Sequence, residues 1–172
     1  MTNEQVHEAL IMWLNTLLGL TVIKDRQGIA RPALPYVMVD LANFTELRER
    51  PADFKWEELD TTNSQGNNEL KATAVMEIEW VFLVFCYGDN ADQTLRKVQA
   101  AKHLAQVQEP LLPQLVIHEI GTVNSVPELV DEKWEPRAQV NIALRGLSSD
   151  GYVVDTIEEH TPFDIATTGQ RS

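Results

Sequence analysis

Apolar residues recur with the period of an amphipathic helix over the N-terminal part of the chain. Thr2 and Gln5 stand at the spacing of a capping box, and Gly19 is the residue type that often ends a helix. We therefore predict a first helix between Thr2 and Gly19 that packs on the rest of the protein through one broad face. The residues of that face are Val6, Leu10, Trp13, Leu14, Leu17 and Leu18.

A period of two replaces the helical period between Glu69 and Gly88, in the longest strand signal of the chain. One face of this segment is apolar, at Met76, Ile78, Trp80, Phe82 and Val84. The other face begins with Glu77 and Glu79. It becomes apolar at Val81, Leu83 and Phe85. The pattern predicts a central strand that is covered on both faces from there onward, by a helix or by a neighbouring subunit.

Shorter alternating segments predict further strands on either side of the central one. They lie in TVIKDRQG, in ALPYVMVDLANF, at Leu115–Ile120 and at Ala138–Arg145. The residues SSDG at Ser148–Gly151 have turn chemistry. We therefore predict that Tyr152–Glu158 returns as an antiparallel partner of Ala138–Arg145.

A second helix is predicted from Asp89 or Asn90 to about Gln108, with Pro110 just past its end. This helix should cover the sheet. Its expected packing stripe consists of Leu95, Val98, Ala101, Leu104 and Ala105.

The stretch from Thr45 to Glu69 is polar and contains the turn-rich segment TTNSQGNN, which predicts a long, mobile hairpin. The chain has 172 residues, of which 44% are hydrophobic, and this suits one compact domain. We predict an α+β fold at residues 1–160, with a mostly antiparallel sheet, two main flanking helices and the long polar β-hairpin or loop. Residues 161–172 are predicted to form a flexible C-terminal tail.

The charge balance changes which partners are plausible. With 14 basic and 26 acidic residues, the formal net charge is -12. Such a surface disfavours general affinity for nucleic acid, which rests on clustered lysine and arginine. An acidic surface can nevertheless lie beside DNA without holding it, because its carboxylates repel the polymer.

Cysteine usage and the N-terminus both favour synthesis in a reducing cytoplasm. The single cysteine, Cys86, stands in the apolar strand segment and is predicted to be a buried structural thiol. No basic leader precedes the first apolar residues, and no run is long enough to cross a bilayer. We therefore expect no membrane association.

Candidate chemistry is sparse. The four histidines have no metal-site spacing, and His7 and His103 are predicted to be solvated or interfacial. The glycines form no phosphate-binding pattern, and Glu77 and Glu79 read as the solvent face of the sheet. We predict no catalytic, metal or cofactor site.

Tryptophan and arginine point instead to protein contacts. Trp13 and Trp80 fit core faces, whereas Trp56 and Trp134 lie among charged residues. Each of the latter two either caps the core of its own domain or anchors a subunit interface, where tryptophan and arginine concentrate binding energy. Arg137 stands at the mouth of the Ala138–Arg145 strand, on its polar face.

Three segments carry a resemblance to a known family. KWEPRAQVNIALRG, LPYVMVDL and FLVFCYGDNADQTLRKVQAAKHL resemble strands and a strand-to-helix unit of phage tail terminator, or neck terminator, proteins. The resemblance implies a structural virion protein rather than an enzyme. It implies a hexameric ring that caps the tail tube, joins it to the head connector or adaptor protein and lets DNA pass without specific binding.

The resemblance also gives expectations for individual residues. The subunit or partner interface would contain Trp56, Trp134, Glu135, Arg137 and Gln139. Arg137 would reach a carboxylate on its own loops or on the next subunit. Acidic residues lining the channel would come from Glu57, Glu58, Glu77 and Glu79. The protein would be made in the host cytoplasm and end in the virion.

Three other classes stay open at this point. A head-completion or adaptor protein of the same neck would share the acidity and the ring but rely more on helices. A small cytoplasmic enzyme would show a deep apolar pocket with convergent polar groups. A bacterial chaperone or adaptor is the weakest of the three.

Overall fold

The first helix forms as its capping signals predict. The computed structural model describes residues 1–25, 31–62, 66, 68–130 and 132–154, and it begins with helix α1 at Asn3–Leu18. The Thr2 hydroxyl accepts from the Gln5 amide, and the Gln5 side chain accepts from the Thr2 amide. Gly19 ends the helix in the left-handed region, at φ 63°.

The strands and helices that follow α1 differ widely in length. Strands β1 and β2 occupy Thr21–Lys24 and Tyr36–Glu46, followed by β3 at Asp53–Thr62 and β4 at Asn68–Tyr87. Helices α2 and α3 occupy Ala91–Ala101 and Ala105–Gln108, and a 3-10 turn follows at Glu109–Leu111. The remaining strands are β5 (Leu115–Ile120), β6 (Asn124–Ser125), β7 (Glu128–Val130), β8 (Lys133–Glu135) and β9 (Arg137–Val154).

Strand β4 is the axis of the sheet, as predicted. Its 20 residues span roughly 65 Å at the usual rise of a strand. Strand β9 runs antiparallel to it without a break, from the pair Leu70 and Val154 to the pair Tyr87 and Arg137. On its other side β4 pairs first with β3 and then with β2. The described sheet is mostly antiparallel and, with its helices, confirms the α+β prediction.

This pairing divides the molecule into two regions. The body is the five-stranded part, in the order β1-β2-β4-β9-β5, together with the helices. The arm is the three-stranded part in which β3 and the end of β9 flank the start of β4, at residues 53–62, 68–75 and 149–154. Almost every residue of β3 is exposed, and no described helix has a substantial contact with β3.

The hydrophobic core lies on one face of the body, where α1 and α2 cover the sheet. Trp80 and Phe82 of β4 are fully buried there. The Trp80 indole donates to Asn3 Oδ1 at 2.8 Å, and the Trp13 indole donates to the Val107 carbonyl at 2.7 Å. The predicted core positions of both tryptophans are confirmed.

The opposite face of the body is more open. Val81, Leu83 and Phe85 are half-buried and lie outside the core cluster, although we predicted coverage on both faces. We predicted that either a helix or a neighbouring subunit covers this face. No helix in the described ranges does so. The neighbouring subunit stays a prediction.

The predicted turn at Ser148–Gly151 is wrong. These residues continue β9, paired in register with β4 from Met76 to Thr73. The glycine serves close packing instead, because a Cβ at Gly151 would lie 2.6 Å from Thr73 Oγ1. The strand partner predicted for Ala138–Arg145 is also wrong: β9 pairs with β4 and β5, and Tyr152 belongs to β9 itself. Residues 155–158 lie outside the described residues, as does the predicted tail.

The second helix is shorter than predicted. It ends at Ala101, and Leu104 adopts an extended conformation with 54% of its surface exposed. Ala105 is exposed as well, so these two residues are not part of the packing stripe. The Gln108 side chain folds back and donates to the carbonyls of Ala101 and Lys102, which caps the helix early.

His7 is buried rather than solvated or interfacial. Only 3% of it is exposed, and its Nε2 lies 3.1 Å from the Val39 carbonyl oxygen. The ring also meets the ring of Phe82 edge-on, with centroids 5.2 Å apart. Burial lowers the pKa of this imidazole, so its neutral form is favoured in the fold.

The polar stretch from Thr45 to Glu69 forms the predicted hairpin. Its longest element is strand β3, which pairs antiparallel with β4. Phe54 and Trp56 are β-prone residues that the polar composition of the stretch concealed. Most of the tip, at positions 63–65 and 67, lies outside the described residues.

Candidate interaction site

The predicted interface residues occupy two separate parts of the molecule. Trp134, Glu135, Arg137 and Gln139 lie at the end of the body where β4 finishes and β9 begins. Trp56 lies on β3, in the arm. The sheet does not bring these two groups together within one chain.

Arg137 is held by contacts within its own chain. Its Nη1 lies 3.2 Å from Glu128 Oε2, and its Nε donates to the Val126 carbonyl at 3.1 Å. The guanidinium also lies over the rings of Phe85 and Tyr87, at 5.3 Å and 5.9 Å from their centroids. We predicted that Arg137 contacts a carboxylate either in its own chain or on the next subunit. The structure has a carboxylate of its own chain, Glu128, in that position.

A second arginine completes this end of the open face. Arg31 Nε donates to the Tyr36 hydroxyl at 2.6 Å, and Arg31 Nη2 lies 2.8 Å from Glu135 Oε2. Tyr36 and Tyr87 stack with centroids 4.8 Å apart. We call Arg31, Tyr36, Tyr87, Glu128, Glu135 and Arg137 the arginine–tyrosine cluster. Burial raises the pKa of Tyr87, so its hydroxyl stays protonated at neutral pH.

Sequence reasoning missed four members of this cluster. These are Arg31, Tyr36, Tyr87 and Glu128. Arg31 and Tyr36 are close in the chain, but strand pairing is needed to bring them to Tyr87, and a fold-level contact brings Glu128 to Arg137. The available signal was the position of each tyrosine at the end of a strand, facing the same way as the Arg137 side chain.

Two other predicted interface residues lie near the arginine–tyrosine cluster and differ in solvent exposure. Trp134 is 69% exposed and pairs with Leu129, also exposed, in the β7–β8 hairpin. Gln139 is half-buried beside Phe85 on the open face. Trp134 therefore does not cap the core of its own domain.

The acidic candidates separate into two kinds. Glu77 and Glu79 are neutralised within the chain, by Arg48 Nε at 2.9 Å and by Arg145 Nε at 2.7 Å. Glu57 and Glu58 are exposed on β3, on opposite faces of the arm, and the closest cation to Glu57 is Lys71 Nζ at 4.0 Å. Negative potential at these four positions is therefore strongest on the arm.

Trp56 belongs to an aromatic row across the arm. Trp56 and Tyr152 both pair with Ala72, from the two sides of β4, so all three share one face of the sheet. Trp56 is 63% exposed and Tyr152 is 73% exposed. Tyr152 was missed because its segment was read as lying beyond a turn.

Cys86 lies in the hydrophobic core of the body. Burial raises the pKa of the Cys86 thiol to about 11, which confirms the prediction of a buried structural thiol. Among the residues that the structure describes, no three His, Cys, Asp or Glu side chains are placed to hold a metal ion. Within the same ranges, no helix is long and apolar enough to cross a membrane.

A fold with an open apolar sheet face and exposed tryptophans defines a class of protein that works through contacts with other chains. The family model described as "Phage neck terminator protein" matches residues 4–170. The chain therefore belongs to the phage neck terminator protein family. It is a structural protein of the bacteriophage neck, located in the virion, and the family is not one of enzymes.

Other comparisons add little. No curated protein matches the chain. One solved structure is similar to this chain at 12% identity, and the alignment covers 85% of this chain and 96% of the chain in that structure. Its TM-score is 0.33, which is too low to carry a functional argument.

Proposed function

We propose that the protein assembles as a homohexameric ring that ends the tail tube and joins it to the head connector or adaptor protein. The observation that carries this proposal is the open face of the body. Val81, Leu83 and Phe85 are apolar there without belonging to the core. Apolar sheet faces of this kind are usually covered in the working state of a protein.

A ring requires two different surfaces on each subunit. Head-to-tail contacts close by rotation when one patch of a copy meets another patch of the next copy. The open face, the Trp134 hairpin and the arm are three such surfaces, and they lie on different parts of the chain. Trp56, Trp134, Glu135, Arg137 and Gln139 stay our predicted interface residues.

Arg137 acts in this proposal by shaping the interface. Its contacts to Glu128 and to the Val126 carbonyl hold the β7–β8 hairpin against the start of β9. Trp134 is thereby presented to a partner at a defined position. We expect Arg137→Ala to weaken assembly, with Arg137→Lys intermediate because lysine keeps the charge but not the planar guanidinium.

Passage of DNA accounts for the acidity. A channel lined by carboxylates repels the DNA backbone and keeps it from sticking during ejection. Glu57 and Glu58 are stronger candidates for this lining than Glu77 and Glu79, which are already paired with arginine. Because Glu57 and Glu58 lie on opposite faces of the arm, only one of them would face the channel. Charge reversal at Glu58 should increase DNA retention more than charge reversal at the paired Glu77.

The mass of the assembly tests the proposal. Light scattering of the purified protein, alone and mixed with tail tubes of the same phage, should show a six-fold species in at least one condition. Negative-stain images should show that species at one end of the tube. A protein that stays monomeric in both conditions, and leaves the tube ends bare, would contradict the proposed function.

A further inference from the structure

We propose that the arms of neighbouring copies join edge to edge, so that β3 of one copy pairs with the end of β9 of the next. This inference rests on the proposed ring and names the contact that closes it. The feature behind it is a three-stranded arm with an unpaired edge on each side, one at β3 and one at residues 148–154 of β9.

Both edges are open within the described residues. Strand β3 pairs only with β4. Strand β5 leaves β9 at Gly146, and the Met1 amino group donates to the Leu147 carbonyl at 2.7 Å, so the open edge of β9 begins after that point. Unpaired backbone groups along such an edge are a template for another strand.

The strand directions suit a ring. Both β3 and β9 run antiparallel to β4, so they run in the same direction. Copies related by rotation about an axis along the strands keep that direction. The contact between β3 of one copy and β9 of the next is therefore a parallel ladder, and repeating it closes the arms into one continuous sheet.

The aromatic row gives this contact a side-chain component. Trp56 and Tyr152 lie at the level of Ala72 and on the same face, one on each edge strand of the arm. Edge-to-edge contact places Trp56 of one copy beside Tyr152 of the next. Aromatic cross-strand pairs stabilise sheets, and both rings lose solvent contact in doing so.

Charge decides which edges meet. The β3 edge carries Asp53, Glu57, Glu58 and Asp60 against the single cation Lys55, whereas residues 148–154 carry only Asp150. Pairing β3 with β3 of another copy would place carboxylates against carboxylates. Pairing β3 with β9 avoids this repulsion, so charge favours the head-to-tail arrangement over a two-fold dimer through β3.

Engineered cysteines test the contact in the full-length chain. Glu57 and Val153 both pair with Lys71 and are exposed, and the natural Cys86 is buried. The double variant Glu57→Cys with Val153→Cys, treated with a short thiol-reactive cross-linker, should give a ladder of covalent species up to the ring size. Glu57→Cys combined with Val116→Cys on β5 is the matched control and should give no ladder.

The outcomes separate this inference from the proposed function. A six-fold species that shows no ladder with Glu57→Cys and Val153→Cys would overturn the edge contact and leave the ring standing. Absence of any assembly, alone or on tail tubes, would remove the ring and the contact together. A ladder that appears only after deletion of residues 155–172 would mean that the chain covers its own β9 edge, and would also overturn the inference.

The aromatic pair supplies an independent measurement. Trp56→Ala and Tyr152→Ala should each weaken assembly by at least about tenfold, and the double variant should lose little more than the worse single variant. Leu104→Ala removes an equally exposed apolar side chain outside the arm and should leave assembly unchanged. Additive effects of the two arm variants would contradict a direct contact.

Discussion

The body and the arm are continuous through β4 and β9, but they are stabilised differently. In the body, one face of β4 is fully covered by α1 and α2, with Trp80 and Phe82 inaccessible to solvent. In the arm, the same two strands and β3 expose side chains on both faces. Strands β4 and β9 therefore each lie partly in a packed core and partly in an open sheet. The half of each strand in the body stabilises the monomer, and the half in the arm is left for contacts with partners.

Substitution of a large side chain should show the widest difference between the two regions. Phe82→Ala removes a fully buried ring, and we expect a loss of about 3–5 kcal/mol in the free energy of unfolding. Tyr152→Ala in the arm should change the same quantity by less than about 0.5 kcal/mol. Urea unfolding, at a concentration where light scattering gives the monomer mass, measures both. Similar losses would show that the arm belongs to the core of the monomer.

Alanine substitution of two glycines on β9, one in the body and one in the arm, tests whether the body is the more tightly packed region. A Cβ at Gly146 in the body would lie 2.6 Å from the Gln114 carbonyl oxygen, a backbone atom, and we expect Gly146→Ala to cost about 1–3 kcal/mol. At Gly151 in the arm, the closest atoms are Thr73 Oγ1 at 2.6 Å and Lys71 Cε at 2.7 Å, which belong to side chains. These are freer to move, so Gly151→Ala should cost under about 1 kcal/mol. A larger loss in the free energy of unfolding for Gly151→Ala than for Gly146→Ala would contradict this difference in packing.

The smallest expected effect concerns pH and is confined to the body. Burial lowers the pKa of His7 below its ordinary value of 6.5, so the unfolded chain takes up a proton before the folded one does. The stability that the neutral imidazole contributes is present above pH 6.5 and is lost as the pH falls from there through the lower pKa of the folded state. Lys24 adds to the lowering, while Glu4 and Asp40 oppose it.

Replacing His7 with glutamine isolates the contribution of His7 to the pH dependence of stability from the contributions of other titratable groups. Between about pH 7.5 and 5.5, the wild-type protein should lose more stability than His7→Gln, which keeps a donor for the Val39 carbonyl. His103→Gln, at an exposed position, is the control and should follow the wild type. An identical pH dependence for His7→Gln and the wild type would exclude His7 as the cause.

The candidate site was predicted in part. Arg137 and Trp134 were singled out from residue type and context, and the structure places them on the open side of β9 and on an exposed hairpin. The contacts of Arg137 with Tyr87 and Glu128 were not found, because nothing local in the sequence connects these residues. Only the pairing of β4 with β9 places Tyr87 beside Arg137.

Local patterns by themselves determined the capped helix α1, the central position of β4 and the burial of Cys86. Each depends on neighbours within a few residues, where periodicity and capping chemistry dominate. The tertiary structure alone decided that Ser148–Gly151 continues a strand and that α2 stops at Ala101. A long antiparallel partner outweighs the turn preference of SSDG, and the side chain of Gln108 satisfies carbonyls that a longer helix would have bonded internally.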